Sequence, residues 1–260
     1  MKPHILTRTV LLGSSLLLFA CQGDNAKLEE EVKALRADIV ELKQQLNTVA
    51  SQVGDIHIIA QASQQPQTKT LPTQNDFNSG GTLPELGDAA ATMAIVEFSD
   101  YQCPYCKRFI DTTFPKLRAN YIDKGKVKYV TRDFPLGFHT KAKGAAVAAN
   151  CSLKQEAYWP MRTLLFNNMR NLGDELYQQS AQNLSLNMEQ FETCLADQQI
   201  MQKIERDLSY GSSLGIRGTP SFLIGKIENN QLVSPQLLVG AQSYETFAGI
   251  LESLENSKTK

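Results

Sequence analysis

The sequence predicts an α/β fold with a helical insertion, and three features of its pattern lead to that prediction. Short apolar runs typical of buried strands alternate with helical segments, and a long block of helical character separates the second strand from the third. A heptad repeat occupies the chain before residue 60. Because strands that alternate with helices are typical of layered α/β domains, we expect one such domain over residues 87–260, with its helical insertion at about residues 140–205.

The composition excludes several classes of protein. The chain has 260 residues, of which 42% are hydrophobic and 20% charged, and its formal net charge is −1. This apolar content is enough for a core in one or two domains. A near-neutral charge argues against a nucleic-acid partner, which usually requires a basic excess. No apolar run reaches the ~18 residues that a membrane-spanning helix needs.

The first residues have the pattern of an export signal. A basic start precedes an apolar stretch at residues 10–20, which is too short to span a bilayer, so residues 1–20 are predicted to be a signal peptide. The end of this segment, Leu18-Phe19-Ala20-Cys21, resembles a bacterial lipobox, whose cysteine is lipidated after cleavage. Residue 22 is Gln and not the Asp that sorting rules for such lipoproteins associate with retention in the inner membrane, so the outer membrane is favoured as the site of the anchor. Ordinary cleavage that leaves Cys21 free is the alternative.

A heptad repeat follows within residues 21–60, which we interpret as a lipid-anchored helix. Branched residues at the first core position with mostly Leu at the second favour two strands, so a homodimer through residues 28–56 is expected. The alternative is a single helix that packs on its own globular domain. The repeating apolar residues are Leu28, Val32, Leu35, Ile39, Leu42, Leu46, Val49, Val53 and Ile56.

Residues 61–86 have the composition of a linker. They are rich in Gln, Thr, Ser, Pro and Gly and carry few large apolar side chains. Such a segment buries too little surface to offset the entropy of ordering it, so the sequence predicts a flexible linker.

The elements of the α/β domain follow in a regular order. A strand at 94–98 leads through a short loop into a helix that begins at a Cys-Pro-Tyr-Cys motif, where proline suits the first helical position. Asn229-Asn230 is typical of a hairpin turn. The expected elements are strands at 94–98, 126–134 and 221–224, a hairpin at 228–239, and helices at 103–121, within 141–201 and at 243–255.

The Cys103-Pro104-Tyr105-Cys106 motif fits a redox pair better than a metal site. Zinc normally takes four ligands, and the chain has no second Cys-x-x-Cys. An export signal also points away from the reducing cytosol. At a helix N-terminus the free N–H groups favour a thiolate, so we expect a lowered pKa for Cys103, with Cys106 as the resolving thiol. Metal binding and a purely structural disulfide remain the alternatives.

Two segments resemble the DsbA-like branch of the thioredoxin superfamily. They are Glu97-Phe-Ser-Asp-Tyr-Gln-Cys-Pro-Tyr-Cys106 and Gly215-Ile-Arg-Gly-Thr-Pro-Ser-Phe-Leu-Ile224. The similarity continues through residues 133–136, the Trp159 region, residues 191–194 and residues 240–242, and it leaves out about the first 85 residues. The resemblance implies a thioredoxin fold with a helical insertion that catalyses thiol–disulfide exchange outside the cytoplasm, with no cofactor and no metal.

The resemblance also implies roles for individual residues. Cys103 matches the attacking cysteine and Cys106 its buried partner. The Thr219–Pro220 loop matches one whose proline is cis and which contacts an extended substrate strand, beside the Pro104–Tyr105 pair. Glu97 matches a buried acid, which in an apolar strand would have a raised pKa and relay a proton to or from Cys106. An exposed strand residue is the alternative for Glu97.

Cys151 and Cys194 lie in the expected insertion, at places where the family sometimes shows cysteines. With Cys21 acylated, the remaining four cysteines form two pairs, and we predict a structural Cys151–Cys194 disulfide. Two buried reduced thiols that act as small apolar side chains are the alternative.

The functional prediction is an enzyme that forms, reduces or isomerises disulfides. Its expected partners are cysteine-containing envelope proteins and a membrane redox protein that recharges the site, and its expected place is the periplasm-facing envelope. Tyr105 differs from the His of the most oxidising relatives, so the net direction of electron flow stays open. The alternative is a non-catalytic lipoprotein scaffold or a copper(I) metallochaperone, since soft thiolates bind copper(I).

Overall fold

The chain divides into two units, Met1–Gln65 and Pro66–Lys260. A computed structural model describes residues 27–49, 68–78 and 82–257. The signal peptide, Cys21, and the heptad positions Val53 and Ile56 lie outside the described residues. Within those three described ranges, none of the helices combines the length and the apolar character needed to cross a bilayer.

Residues 27–49 of the first unit form one helix, α1. The seven heptad residues that fall within α1, from Leu28 to Val49, are all between 41% and 71% exposed. A helix with a row of large apolar side chains open to solvent is typical of a strand of a coiled coil.

The second unit is built on one six-stranded sheet in the order β1-β6-β5-β3-β4-β2. Strand β3 lies at its centre, parallel to β4 and antiparallel to β5. Every residue of β3 is buried, because the sheet is covered on both faces. The strands are β1 Thr68–Thr70, β2 Glu85–Leu86, β3 Met93–Ser99, β4 Val127–Asp133, β5 Ser221–Glu228 and β6 Gln231–Val239.

The helices are divided between the sheet and an insertion. Helices α4 to α8 follow one another between β4 and β5, so the predicted insertion is present and extends to Ser213. The single helix expected over 103–121 is interrupted near Thr113, because Pro115 has no N–H for an intrahelical bond. The helices are α2 Pro104–Thr112, α3 Phe114–Leu117 with a π-helical turn at Arg118–Ile122, α4 Ala142–Leu153, α5 Tyr158–Asn167, α6 Asp174–Asn183, α7 Met188–Leu195, α8 Gln198–Ser213 and α9 Tyr244–Asn256.

The core has one cluster on each face of the sheet and a third that joins the insertion to the start of α2. Ile95 and Phe222 point to the face covered by α2 and α9, whereas Val96 and Phe98 point to the other face. On that second face α8 lies close to the sheet at Gly211, where a Cβ would come within 2.7 Å of the Phe134 ring. Glycine therefore permits the contact that joins the insertion to β4.

The prediction of a flexible linker up to residue 86 is wrong for its described part. Strand β1 pairs with β6, and β2 pairs with β4, so this segment covers both edges of the sheet. Leu71, Phe77 and Leu83 are buried in the core. From its composition the segment was expected to bury too little surface to offset the entropy cost of ordering it. Hydrogen bonds to otherwise open strand edges and three buried apolar side chains offset that cost. Residues 61–67 lie outside the described residues.

Candidate active site

The Cys-x-x-Cys motif begins α2 immediately after the central strand. Cys103 is the N-cap of α2 and keeps extended backbone angles, with Pro104 in the first turn. The loop before it is tightened by Asp100, whose carbonyl accepts from the N–H of Cys103 at 3.1 Å and whose side chain accepts from Gln102 N–H at 2.7 Å. The sulfur of Cys103 is thereby held where the helix dipole favours negative charge.

The loop before β5 lies against the first cysteine. The Thr219–Pro220 peptide bond is cis. The Cys103 thiol donates a hydrogen bond to the carbonyl oxygen of Thr219 at 3.3 Å. Four predicted site residues, Cys103, Cys106, Thr219 and Pro220, are thus brought together from two distant parts of the chain.

The two cysteines differ strongly in acidity. A hydrogen bond from the Cys106 thiol, which outweighs the opposing effect of burial, lowers the pKa of Cys103 to about 6. Burial raises the pKa of Cys106 well above its ordinary value, and the interactions with Cys103 and with the charge of Glu97 add to that increase. One sulfur is therefore a ready nucleophile at neutral pH, while the other holds its proton until a base removes it.

Glu97 lies fully buried on β3 with three hydrogen-bond donors around its carboxylate. Ser99 donates to Oε1 at 2.8 Å, and both the Tyr129 hydroxyl and the Arg162 guanidinium donate to Oε2. The alternative of an exposed strand residue is wrong. A buried ion pair with Arg162 compensates the charge of the carboxylate.

Arg162 belongs to α5 of the insertion and was not predicted from the sequence. Burial disfavours its charge, but the carboxylate of Glu97 raises the pKa of Arg162 above its ordinary value. The available signal was a lone cation inside the apolar helical segment Trp159–Phe166. Its partner, 65 residues earlier in the chain, carried no matching signal.

Exposed apolar side chains flank the reactive sulfur. Across residues 68–78 and 82–257 the large hydrophobic side chains that remain exposed are Tyr105 at 56%, Phe138 at 75% and Val239 at 40%. Tyr105 lies between the two cysteines, and Val239 precedes Gly240, whose N–H donates to Pro220 O. Phe138 packs edge-on against His139, which contacts Asp100 Oδ2 at 2.8 Å. Exposed apolar side chains therefore lie on the segments that contact the Cys103 loop and the Thr219–Pro220 loop.

The other two cysteines are bonded to each other away from this site. Cys151 on α4 and Cys194 on α7 form a disulfide, with an S–S distance of 2.11 Å. This is the pair that the resemblance implied. Among the residues that the structure describes, no cluster of three or more His, Cys, Asp or Glu side chains is placed to hold a metal ion.

A family model, several relatives and several solved structures point to one family. A family model described as thioredoxin matches residues 79–252. The disulfide bond formation protein D of Bacillus subtilis is 27% identical over 150 residues, which are 54% of this chain and 67% of that protein. The structure of α-DsbA1 from Wolbachia pipientis is 31% identical with a TM-score of 0.56, covering 67% of this chain and 91% of that one.

A different kind of relative is matched over a shorter part of its length. The Na(+)/H(+) antiporter NhaA 3 of Salinispora tropica is 32% identical over 139 residues, or 53% of this chain. The chain spans only 21% of that antiporter.

Proposed function

This chain belongs to the DsbA-like oxidoreductases of the thioredoxin superfamily, and we propose that it exchanges disulfides with cysteine-containing proteins of the cell envelope through Cys103 and Cys106. The observation that carries the proposal is the split in acidity between the two sulfurs. The pKa of Cys103 is lowered to about 6, and that of Cys106 is raised. A thiol with a pKa near 6 is largely ionised at neutral pH and so can attack a disulfide, and its low pKa also makes it a good leaving group, so exchange can proceed in either direction.

In the oxidising direction a client thiolate attacks the sulfur of Cys103 in the Cys103–Cys106 disulfide. A mixed disulfide forms, and Cys106 leaves as a thiolate and takes up a proton. A second client thiolate then attacks the client sulfur of the mixed disulfide and releases Cys103 as a thiolate. The client loses two electrons, and the protein ends in its dithiol form.

In the reducing direction the Cys103 thiolate attacks a client disulfide and releases one client thiolate. Cys106 then loses its proton and attacks Cys103, which releases the second client thiolate. Isomerisation occurs when another client cysteine resolves the mixed disulfide before Cys106 does. Glu97 is the buried base that we assign to Cys106, because its charge contributes to the raised pKa of that thiol.

Client polypeptides are proposed to bind across the exposed surface around Cys103. The Thr219–Pro220 loop would present backbone groups to an extended segment, and Pro104 and Tyr105 would contact it from α2. Phe138 and Val239 would extend this surface to apolar client side chains. An unfolded chain, which exposes both its backbone and its apolar residues, fits such a surface best.

Two turnover assays with a Cys103→Ser variant test the enzyme proposal. The wild type should accelerate insulin reduction or the oxidative refolding of reduced ribonuclease, and Cys103→Ser should reduce either rate to the uncatalysed level. Cys106→Ser is the matched variant, because it keeps the attacking sulfur and should accumulate mixed disulfides with clients. A wild type as inert as Cys103→Ser, with stoichiometric copper(I) retained on the thiols, would instead identify a metallochaperone.

We also propose that the protein is lipid-anchored in the periplasm-facing envelope, with a preference for the outer membrane, and pairs with a second copy through α1. The exposed heptad residues of α1 support the second copy as the occupant of that face. Sedimentation of the mature protein with and without residues 22–60 should give a dimer and a monomer, and equal masses would contradict the pairing. Mass spectrometry of the N-terminal peptide should find acyl chains on Cys21.

A further inference from the structure

We propose that Arg162, on the second helix of the insertion, is a positioning residue for disulfide exchange, because it holds the Glu97 carboxylate in place as the base for Cys106. This inference rests on the proposed function and adds a residue to its mechanism. It also gives the insertion a part in the chemistry of the site, in addition to its part in the fold.

The geometry around Glu97 supports this role. Its carboxylate is fully buried, and Arg162 is the cation that donates directly to it within the described residues. The Tyr129 hydroxyl shares the same oxygen, and Ser99 holds the other one. The base is therefore fixed by side chains from two strands and a helix. Because side chains alternate along β3, Glu97 lies on the same face as Ile95, which is the face that α2 covers, and its charge acts on Cys106.

The position of Arg162 is itself fixed by packing. Its guanidinium carbon lies 5.4 to 5.6 Å from the ring centres of Phe114, Trp159 and Phe166. Among the described residues its Nε has no hydrogen-bond partner, so the ion pair with Glu97 is the main compensation for a buried charge. A guanidinium remains charged under all ordinary conditions, which suits a permanent counter-charge better than a group that titrates.

The step that depends on Arg162 is the resolution of a mixed disulfide. Cys106 gives its proton to the Glu97 carboxylate, and the resulting thiolate attacks the sulfur of Cys103. The Cys103–Cys106 bond forms, the bond from Cys103 to the other thiol breaks, and that thiol leaves as a thiolate. Without Arg162 the buried carboxylate would have no counter-charge and would take up a proton from solvent. In that neutral form it could not accept the proton of Cys106.

The two exchange steps can be timed separately with the aromatic disulfide 5,5′-dithiobis(2-nitrobenzoic acid). Reduced protein releases one coloured thiolate when Cys103 attacks the reagent and a second when Cys106 resolves the adduct. Arg162→Met should slow the second release on the order of 100-fold, a typical contribution of a positioned base, and change the first less than about 3-fold. Arg162→Lys should restore most of the second rate.

Two further proteins separate this role from a purely structural one. In a Glu97→Gln background, which has lost the base, adding Arg162→Met should leave the second release unchanged. Arg132→Met is the matched control, since Arg132 is an equally buried guanidinium that pairs with Asp207 at 2.6 Å. Arg132→Met should lower thermal stability but should not slow the second release more than the first.

Each result bears on one proposal. Equal effects of Arg162→Met and Arg132→Met on the two releases would overturn the positioning role, and so would a further loss in the double variant. If Arg162→Met alone does not fold, the comparison of Glu97→Gln with Glu97→Gln/Arg162→Met still tests whether Arg162 acts through Glu97. A wild type that never gives the first release would contradict the proposed function itself, whatever Arg162 does.

Discussion

The molecule contains two cysteine pairs, Cys103 with Cys106 and Cys151 with Cys194, and all four side chains are buried. Burial therefore does not distinguish the pair that we propose to exchange disulfides from the disulfide-bonded pair. All four side chains belong to the same apolar cluster, but the first pair lies at the start of a helix with a carbonyl and a carboxylate nearby, whereas the second joins α4 to α7. The difference in acidity between Cys103 and Cys106 therefore follows from nearby charges and hydrogen bonds together with burial.

The comparison is tested most strongly by removing the structural disulfide. Cys151→Ala/Cys194→Ala should lower the free energy of unfolding by about 4 kcal/mol, the chain-entropy value for the 43-residue separation of these cysteines. Denaturant unfolding by circular dichroism measures this loss. The variant should still exchange disulfides at the wild-type rate at temperatures where it remains folded. A slower exchange by the folded variant would show that the second pair also serves the reaction.

The second test follows the charge of Cys103 with pH. Its rate of alkylation by iodoacetamide should rise with a midpoint near pH 6, while Cys106 stays unmodified in the folded protein. An ordinary thiol with a pKa of 9.0 would react slowly at that pH. A midpoint near 9 would remove the distinction between this pair and any other buried thiols.

The same shift makes the stability of the reduced protein depend on pH. A thiol with a lower pKa in the folded state stabilises the fold fully above the unfolded value near 9, and this contribution is lost as the pH falls through about 6. The reduced wild type should therefore gain stability between pH 6 and pH 9 relative to reduced Cys103→Ser, by thermal unfolding. Parallel stability curves for the two proteins would argue against a thiolate.

What the sequence could predict depended on how local the determining contacts are. The motif at Cys103 was predictable because the strand before it and the helix after it lie within ten residues. The Asn229-Asn230 turn was predictable for the same reason, and both residues adopt the positive φ angles of 50° and 61° that such a tight hairpin needs.

Contacts between distant segments could not be predicted in this way. The ion pair of Glu97 with Arg162 spans 65 residues, and neither residue has a pattern that identifies the other. The segment around Phe77 resembled a linker because its composition is polar, and only the open edge of β6 gives it a place to pair. In both cases the partner was set by the fold rather than by nearby sequence.

The path of β1 has a practical consequence for handling the protein. Thr68 pairs with Leu238, and Gly240, two residues further along, donates its N–H to Pro220 O. Strand β1 therefore starts at the rim of the sheet that also carries the Thr219–Pro220 loop, which contacts Cys103. Helix α9 ends at the far rim, where Glu255 meets Lys126, the residue before β4. Dyes, affinity tags or surface couplings attached after α9 will leave the entrance to the reactive sulfur clear, whereas bulky groups placed just ahead of Thr68 will crowd it.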